Sequence, residues 1–437
     1  MAGTFFLFML CGGFLLGSGG TTLTVPHHRS AAASRHGHHR SAAVDALLAD
    51  AGGNAVEELG ATSDLQLPAA TTAPAAAPAS VADQPPLAAR ENFAFAPYWT
   101  LTQSPLFDLT GLSTLDYFAV GVNPNGSLDE NGPGWDGFES QDLSDLITRA
   151  HEAGERVVLT VNDFDQGSLD TLTTSPTAAT TLSSALIPLL QAKSLDGVNF
   201  DFEGDGSGDQ VGLTSLIEAV SGALRAADPH WQVTMDTYAS SAGDSDGFYN
   251  IPALAPFVDA FFVMDYELNL AGSPSGASPL TSGAFSSLTT LKQYTSVVPA
   301  SKVILGLPFF GIDWPTNNGT MAANATGGAN DIAESQAQGN GPEYWDPVTG
   351  TEWTSYQVGN QWHESYYEGE YGLYEADLMA AYFGARGVGI WALGMESDGA
   401  QLIAALDGIS PGGPGSTGPA ATSSSPGAAP APAPAPA

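Results

Sequence analysis

Cysteine and positively charged residues are scarce in this sequence. Its 437 residues include one cysteine, Cys11, and 11 Lys and Arg residues stand against 47 Asp and Glu residues, which gives a formal net charge of -36. A single cysteine excludes an internal disulfide and a cysteine-based metal or redox site. An acidic surface repels nucleic acid and anionic membranes, so we expect neither as a stable partner. A neutral polymer is an easier partner, although a salty or acidic habitat would equally explain the charge.

Long apolar segments are also scarce. Residues 4–17 are mostly apolar and small residues follow at 17–20, a pattern typical of a secretory signal peptide. About 20 apolar residues are needed to cross a bilayer, so this stretch is too short to span one comfortably. No Lys or Arg precedes the run, which leaves a mis-assigned start codon or a short anchor as alternatives. We expect residues 1–20 to be a signal peptide and the protein to be secreted.

Low-complexity segments flank a globular centre. Residues 21–90 are rich in Ala, Thr, Ser, Pro and His, and residues 410–437 are rich in Pro and Ala. Such compositions are typical of a disordered linker and a disordered tail. The histidines of the linker predict no metal site, because an unordered segment cannot fix ligand geometry. Residues 91–409 have a globular composition, and we expect them to form one domain of a monomeric protein.

Within residues 91–409, eight short apolar runs alternate with stretches that have apolar residues at helical spacing. The short runs indicate strands, and the spacing of three and four residues indicates amphipathic helices. Eight alternating strands and helices predict an α/β fold, a (β/α)8 TIM barrel with its chemistry at the carboxyl ends of the strands. The runs are residues 93–99, 115–122, 156–161, 197–202, 231–236, 259–266, 302–310 and 387–393.

A long segment interrupts the alternation between the seventh run and the eighth. Residues 312–370 are too many for a simple connection, so we expect a small insertion that lines the cleft. Its four tryptophans are more than an insertion of this length needs for its own core. We therefore expect at least one of them to contact a ligand. They are Trp314, Trp345, Trp353 and Trp362.

The fourth run carries acidic side chains in a strand pattern. With a period of two, Asn199, Asp201 and Glu203 share one face, while Val and Phe side chains occupy the other. The polar face then points into the barrel, and Glu203 lies at the accessible carboxyl end. Burying two carboxyls and an amide together is costly unless they hydrogen-bond or share protons. The pattern therefore indicates a functional site rather than an acidic surface turn.

Residues 196–203, DGVNFDFE, resemble the DxxDxDxE signature of family 18 glycoside hydrolases, which include chitinases and enzymes that act on spore or cell-wall peptidoglycan. The likeness covers residues 91–409. It implies a secreted, retaining glycosidase that hydrolyses β-linked N-acetylglucosamine polymers, chitin or peptidoglycan, with that polysaccharide as its partner. We expect no cofactor and no metal. The other similar segments are FAFAPYW, MDY, KVILGLPFFG and GIWALGMES.

The resemblance also implies roles for four residues. Glu203 matches the general acid that protonates the glycosidic oxygen, and Asp201 matches the carboxylate that orients the acetamido group of the substrate. Tyr266 matches a tyrosine that hydrogen-bonds to that group, and Trp391 matches the aromatic floor beneath the sugar. In the family, the acetamido oxygen attacks the anomeric carbon and forms an oxazolinium ion, so no enzyme carboxylate need be the nucleophile.

Two positions depart from the family pattern. Asn199 stands where many chitinases have an inner Asp, and Glu267 follows Tyr266 where an Asp is usual. The inner Asp is expected to share a proton with its neighbour, whereas Asn can serve only as a hydrogen-bonding partner. We therefore expect a changed pH profile rather than inactivity, and an Asn199→Asp variant is expected to shift the pH optimum.

Further substrate-binding residues are expected around this centre. Tyr98 and Trp99 end the first run, where either could stack on a sugar face. Asp236 closes the fifth run, where a bond to a sugar hydroxyl and a capping role are equally plausible. Asp265 alternates with its neighbours and should face away from the barrel. The predicted substrate-binding set is Asn199, Trp391, Met264, Glu267, Tyr98 and Asp236.

Three other functions remain open on the sequence. A non-catalytic carbohydrate-binding barrel would keep the groove without the chemistry. A conventional hydrolase of another β-glycan would use two carboxylates, for example Glu203 with Asp236. A structural wall protein would leave the inward acids unexplained. The sequence separates neither chitin from peptidoglycan nor endo from exo cleavage.

Overall fold

The predicted terminal segments lie almost entirely outside the residues that the structure describes. Residues 1–20, the predicted signal peptide, and residues 21–86 of the predicted linker are not among them, and neither is most of the predicted tail. These boundaries therefore stay predictions. The computed structural model describes residues 87–268, 274–283, 285–411 and 418.

Thirteen β-strands lie in the described part of the chain. Eight of them form a closed barrel and five form a separate sheet. The strands are β1 Glu91–Pro97, β2 Thr114–Gly121, β3 Arg156–Asp163, β4 Gly197–Phe202, β5 Gln232–Tyr238, β6 Ala260–Met264, β7 Val303–Pro308, β8 Phe310–Thr316, β9 Asn330–Ala333, β10 Glu343–Asp346, β11 Thr351–Val358, β12 Gln361–Tyr367 and β13 Gly387–Trp391.

Ten α-helices accompany these strands within the described ranges. None of them is both long enough and apolar enough to cross a membrane. The helices are α1 Pro133–Phe138, α2 Gln141–Ala153, α3 Gln166–Thr174, α4 Ala178–Lys193, α5 Gln210–Ala227, α6 Ile251–Leu254, α7 Ser287–Val297, α8 Glu334–Gly339, α9 Glu370–Tyr382 and α10 Gly399–Leu406.

The barrel has eight parallel strands in the order β1-β13-β7-β6-β5-β4-β3-β2, and β1 closes the ring by pairing with both β13 and β2. The predicted (β/α)8 TIM barrel is therefore confirmed. Most strand ends differ from the prediction, and two of these differences concern candidate site residues. The first strand ends at Pro97, before Tyr98 and Trp99, and the fifth continues past Asp236 to Tyr238.

Alternation along β4 assigns its side chains to two layers. Val198, Phe200 and Phe202 belong to the apolar core between the strands and the helices. Helix α5 supplies Leu213 and Ile217 to the same core, at the spacing that keeps one helix face apolar. The remaining side chains of β4 are polar and buried inside the barrel. The predicted division of this strand into a polar face and an apolar face is confirmed.

The interior of the barrel has two halves of different chemistry. In the apolar half, the rings of Phe95 and Phe262 meet edge to face with centroids 4.8 Å apart. Glycines make room for Phe262, because a Cβ would lie 2.4 Å from its ring at Gly306 and 2.6 Å at Gly389. The apolar half is Phe93, Phe95, Ala260, Phe262 and Ile304. The acidic half, on β2 to β5, is Asp116, Thr160, Asn199, Asp201, Thr234 and Asp236.

The segment between β7 and β13 forms the small insertion that the sequence predicts. Its strands pair antiparallel in the order β10-β11-β12-β8-β9. Trp314 and Trp353 are buried in the apolar core of the insertion, and Trp345 is buried with its ring centroid 4.9 Å from that of Tyr371. Trp362 is half-buried. Three of the four tryptophans are therefore buried, and the expectation that at least one of them contacts a ligand stays a prediction, with Trp362 as its candidate.

Candidate active site

Glu203 follows the last residue of β4, at the carboxyl end of the barrel. Its backbone N–H donates to the carbonyl oxygen of Asp163, the last residue of β3, at 3.1 Å. Its side chain is half-buried. In barrels of this kind, the loops after the strands form the site at this end. Glu203 therefore lies where the sequence places it, and its carboxyl group can be reached from outside.

The surroundings of Glu203 keep its carboxyl group protonated up to neutral pH. Burial, followed by the charge of Glu267, raises the pKa of Glu203 to about 7, while a hydrogen bond from the Tyr238 hydroxyl opposes the shift. A carboxyl group with a pKa near the working pH can both give and take a proton. Glu203 therefore has the properties of a general acid.

Asp201 lies deeper in the barrel than Glu203, on the same face of β4. Its side chain is 3% exposed, and its Oδ1 atom has no hydrogen-bond partner among the described residues. Burial raises the pKa of Asp201 well above its usual value, and the charges of Asp236 and Glu203 raise it further. Ionised Asp201 is thus costly among these neighbours and would gain from a nearby positive charge.

Asn199 lies one inward position below Asp201 on β4, and Asp236 lies beside Asp201 on the neighbouring strand β5. They are 0% and 2% exposed, and Asn199 Nδ2 donates to Asp236 Oδ2 at 2.9 Å. The same nitrogen donates to Thr160 Oγ1 at 3.1 Å, and Asn199 Oδ1 accepts from Thr234 Oγ1 at 2.8 Å. The sequence predicts contact with substrate at both positions. The structure instead buries both side chains below the cleft surface and bonds them to each other.

Tyr266 joins the site from the loop after β6. Its ring is partly exposed and lies edge to face with Phe310, with centroids 5.8 Å apart. Burial raises the pKa of Tyr266 well above its usual value, and the charges of the nearby carboxyls, first Asp236 and then Asp201, raise it further. Its hydroxyl is therefore a neutral hydrogen-bond donor that faces the acids of the site.

The side chains of Met264 and Asp265, just before Tyr266, point in opposite directions, as the alternation along a strand predicts. Met264 is half-buried against the interior of the barrel, where the sequence places it. Asp265 points the other way and accepts hydrogen bonds from Thr290 at 2.6 Å and from Ser278 at 3.2 Å. Its predicted orientation away from the barrel is confirmed, and Asp265 is not part of the site.

Trp391 ends β13 and provides a supported aromatic surface. Its ring is partly exposed and meets the rings of Phe118, Phe95 and Trp99 edge to face, at centroid distances of 4.6, 5.3 and 6.0 Å. Trp99 is 43% exposed, whereas Tyr98 is half-buried against the core on the helix side. Of this neighbouring pair, Trp99 therefore presents its ring to a ligand more fully than Tyr98.

Glu267 connects the site to the insertion. Its backbone lies in the left-handed region at φ 59, and its side chain is half-buried. Burial raises the pKa of Glu267, and the charge of Asp331 on β9 raises it further. Because Glu267 in turn raises the pKa of Glu203, the insertion influences the acid through this residue.

Two residues at or below the site are absent from the sequence-based prediction. Tyr238, at the end of β5, lowers the pKa of Glu203, and its hydroxyl donates to the carbonyl oxygen of the next residue, Gly204, at 3.4 Å. Asp116, in the middle of β2, accepts from Thr160 Oγ1 at 2.8 Å with both oxygens. The period of two that identifies the inward face of β4 would also have placed both residues, since Asp116 lies between apolar neighbours and Tyr238 follows Asp236 by two.

Among the described residues, no group of three or more His, Cys, Asp or Glu could hold a metal ion.

Comparisons with known proteins identify the family of this chain. The model of glycosyl hydrolases family 18 matches residues 98–396. The uncharacterized glycosylase YvbX of Bacillus subtilis is 25% identical over 244 residues, which are 54% of this chain and 69% of that protein. A second Bacillus subtilis glycosylase, YdhD, whose name links it to sporulation, is 26% identical over 226 residues. The matched region is 48% of this chain and 49% of that relative.

Solved structures share the fold. A GH18 chitinase from Cycas revoluta in complex with (GlcNAc)3 has a TM-score of 0.65 at 16% identity, over 73% of this chain and 99% of that one. The spore cortex-lytic enzyme SleL of Bacillus cereus has a TM-score of 0.58 at 16% identity, over 74% of each chain. The family match spans most of the barrel and includes Glu203, Asp201, Tyr266 and Trp391. The chain therefore belongs to glycosyl hydrolases family 18 and is a glycoside hydrolase.

Proposed function

We propose that this enzyme is a retaining glycosidase that cleaves β-linked N-acetylglucosamine polymers with the help of the substrate's own acetamido group. The observation that carries the proposal is the half-buried Glu203, whose pKa of about 7 keeps a proton available, beside Asp201 and the neutral hydroxyl of Tyr266. Glu203 can donate the proton, and Asp201 and Tyr266 can interact with an amide group of the substrate. This arrangement suits a sugar that carries an acetamido substituent.

The proposed reaction has two steps. Glu203 donates its proton to the glycosidic oxygen, and the bond from that oxygen to the anomeric carbon breaks as the acetamido oxygen attacks that carbon. Asp201 stabilises the positive charge of the resulting oxazolinium ion, and Tyr266 hydrogen-bonds to the acetamido group. Water then attacks the anomeric carbon while the Glu203 carboxylate takes its proton. Two inversions leave the configuration at the anomeric carbon unchanged.

A mechanism with Glu203 and Asp236 as its two carboxylates is less compatible with the burial of Asp236. A carboxylate nucleophile must contact the anomeric carbon, and retaining enzymes of that type hold their carboxyls about 5–5.5 Å apart around the sugar. Asp236 is 2% exposed, and its Oδ2 atom accepts from Asn199. One of its two oxygens is therefore already held by Asn199, and the side chain is almost completely enclosed inside the barrel. The burial of Asp236 therefore favours the acetamido group as nucleophile.

Chitin and peptidoglycan both contain the proposed sugar. Of the two structural neighbours, one is described as a chitinase in complex with (GlcNAc)3 and the other as a spore cortex-lytic enzyme. The net charge of -36 favours the neutral polymer, chitin, because peptidoglycan carries carboxylates. Product analysis on chitin oligomers and on purified peptidoglycan, in parallel reactions, identifies the polymer and distinguishes endo from exo cleavage.

A Glu203→Gln variant tests the proposal. It should abolish hydrolysis of N-acetylglucosamine oligomers and leave the circular dichroism spectrum unchanged, because the amide fills the same volume but has no acidic proton. Glu218→Gln, an identical change at an exposed position of α5, is the matched control and should retain full activity. Full activity of Glu203→Gln would remove this residue from the mechanism. Binding of oligomers by the wild-type protein without any product would support the non-catalytic alternative.

We also propose that the enzyme acts outside the cell. The support is the apolar run at residues 4–17, followed by small residues at 17–20. When the full chain is expressed with an export pathway, amino-terminal sequencing of the protein in the medium should begin near residue 21. A protein that stays in the cell with residues 1–20 attached would contradict secretion.

A further inference from the structure

Three carboxyls lie in the acidic half of the barrel without a basic partner. Asp116, Asp201 and Asp236 are each 3% exposed or less, and none of the ion pairs among the described residues includes them. Three buried anions side by side would be very costly. The cluster therefore holds protons, and its hydrogen bonds indicate where one of them lies.

The hydrogen bonds around Asn199 leave Asp201 without a donor. Thr160 has one hydroxyl proton, which it donates to Asp116, so it can only accept from Asn199. The two N–H groups of Asn199 go to Thr160 and Asp236. Asp116 and Asp236 thus each accept a hydrogen bond. Asn199 cannot reach Asp201 without breaking one of these bonds.

Asp201 and Asp236 are neighbours on adjacent strands. Asn199 on β4 pairs with Thr234 on β5, so the inward positions two residues further along, 201 and 236, lie side by side. Asp201 Oδ1 and Asp236 Oδ1 are both buried, and neither has a hydrogen-bond partner in the described part of the chain. A proton between these two oxygens would satisfy both of them.

We propose that Asp236 is the proton-sharing partner of Asp201 and a positioning residue for the reaction. One proton is shared between the two Oδ1 atoms. As positive charge develops on the oxazolinium ion, the O–H bond at Asp201 breaks and an O–H bond forms at Asp236, so the negative charge moves from Asp236 to Asp201. Asn199 fixes the orientation of Asp236 by donating to its Oδ2 atom. This inference rests on the proposed function, because it concerns the ion formed there.

The groups that face Asp236 are compatible with this role. Burial raises the pKa of Asp236 well above its usual value, the charges of Asp116 and then Glu203 add to the shift, and the hydrogen bond from Asn199 opposes it. The charge of Asp236 also raises the pKa of Tyr266, which stays a neutral hydroxyl, while the Tyr249 hydroxyl donates to the Phe202 carbonyl oxygen at 2.8 Å. A second negative charge is therefore unfavourable at this depth, and Asp236 is able to accept the proton that Asp201 releases.

Two substitutions at position 236 test the proposal. In Asp236→Asn, the amide oxygen can accept from Asn199 and the amide nitrogen can donate to Asp201, so Asp201 stays ionised. Most of kcat should remain, and the acidic limb of the kcat profile should move to lower pH, because the pKa of Asp201 falls. Asp236→Leu has no donor, and kcat should fall about 100-fold with little change in KM. Asp246→Asn, at an exposed position, is the control.

Two results would overturn the proposal. One is an Asp236→Leu enzyme with the kcat and pH profile of the wild type. The other is a folded Asp236→Asn enzyme whose acidic limb does not move, which remains decisive if Asp236→Leu fails to fold. The assay also separates this inference from the proposed function. Wild-type activity that is lost in Glu203→Gln, together with unchanged Asp236 variants, would reject only the inference. Wild-type protein that leaves N-acetylglucosamine oligomers intact would reject the proposed function.

Discussion

The two halves of the barrel interior have opposite effects on the fold. In the apolar half, Phe95 and Phe262 pack their rings at 4.8 Å, and burial of such surface stabilises the folded state. In the acidic half, Asp201 and Asp236 are buried with raised pKa values, which costs stability when they ionise. One ring of hydrogen-bonded strands therefore combines a stabilising side with a reactive side.

The candidate site lies where these halves meet. Tyr266 and Trp391 pack against the apolar half. The hydroxyl of Tyr266 also faces the carboxyls of the acidic half. The apolar half therefore supports the aromatic surfaces, and the acidic half supplies the charge. Substitutions in the two halves should affect different properties of the enzyme.

The largest effect on stability is expected in the apolar half. Phe262→Ala should lower the free energy of unfolding by about 3–5 kcal/mol, because it removes a buried ring and leaves a cavity. The pH profile of the remaining activity should not change. Chemical denaturation measures the loss, with the exposed Leu106→Ala as the control. A loss below about 1 kcal/mol would contradict the role assigned to this half.

Asp201→Asn should lower activity without lowering stability, which is the opposite of the effect of Phe262→Ala. We expect kcat to fall about 10²–10³-fold, because the charge that stabilises the oxazolinium ion is lost. The free energy of unfolding at neutral pH should not fall and should rise, because a costly buried carboxyl is removed. Steady-state kinetics and denaturation of the same preparation measure both quantities, with the exposed Asp246→Asn as the control. Simultaneous loss of activity and stability would contradict the division of the barrel.

The free energy of unfolding should decrease as pH rises. Burial raises the pKa of Glu352 and of Glu364 in the insertion from 4.5 to about 7. The folded state then holds protons that the unfolded state releases, so this contribution is fully present below 4.5 and is lost as pH rises to about 7. Phe262→Ala should lower the whole curve without changing its slope. Thermal denaturation across this range tests both statements, and a stability that increases with pH would refute them.

The smallest predicted effect concerns Glu267. Its charge raises the pKa of Glu203, so Glu267→Gln should lower that pKa. Glu203 must be protonated to act as the acid, and activity is lost as pH rises through its pKa. The basic limb of the kcat profile should therefore move to lower pH, by less than about one unit. The exposed Glu130→Gln should leave this limb in place. A limb that moves upward would show that Glu267 does not act through its charge.

The sequence predicts the barrel and the inward face of β4 because both depend on local periodicity. The bounds of β4 match the prediction, since Val and Phe alternate there with Asn199 and Asp201. Contacts between strands are not local. The bond from Asn199 to Asp236 and the hydroxyl of Tyr238 beside Glu203 depend on the register of β4 and β5, which composition and spacing do not specify.

The orientation of the tryptophans in the insertion also depends on contacts that local spacing does not specify. Their number predicts a surplus for ligand contact, but whether a ring faces the core or the cleft depends on how the sheet folds back on itself. Trp314 and Trp353 pack into the core of the insertion. The exposed ring near Trp391 belongs instead to Trp99, which lies far from the insertion in the sequence.

Comparison of acetylated and deacetylated oligomers tests the central claim most directly. Purified wild-type enzyme should cleave N-acetylglucosamine oligomers and release the β-anomer first, as detected by proton NMR, because the acetamido oxygen is the nucleophile. Glucosamine oligomers of the same length should remain intact. Equal cleavage of both substrates would contradict the account, since the nucleophile would then have to be a group of the enzyme.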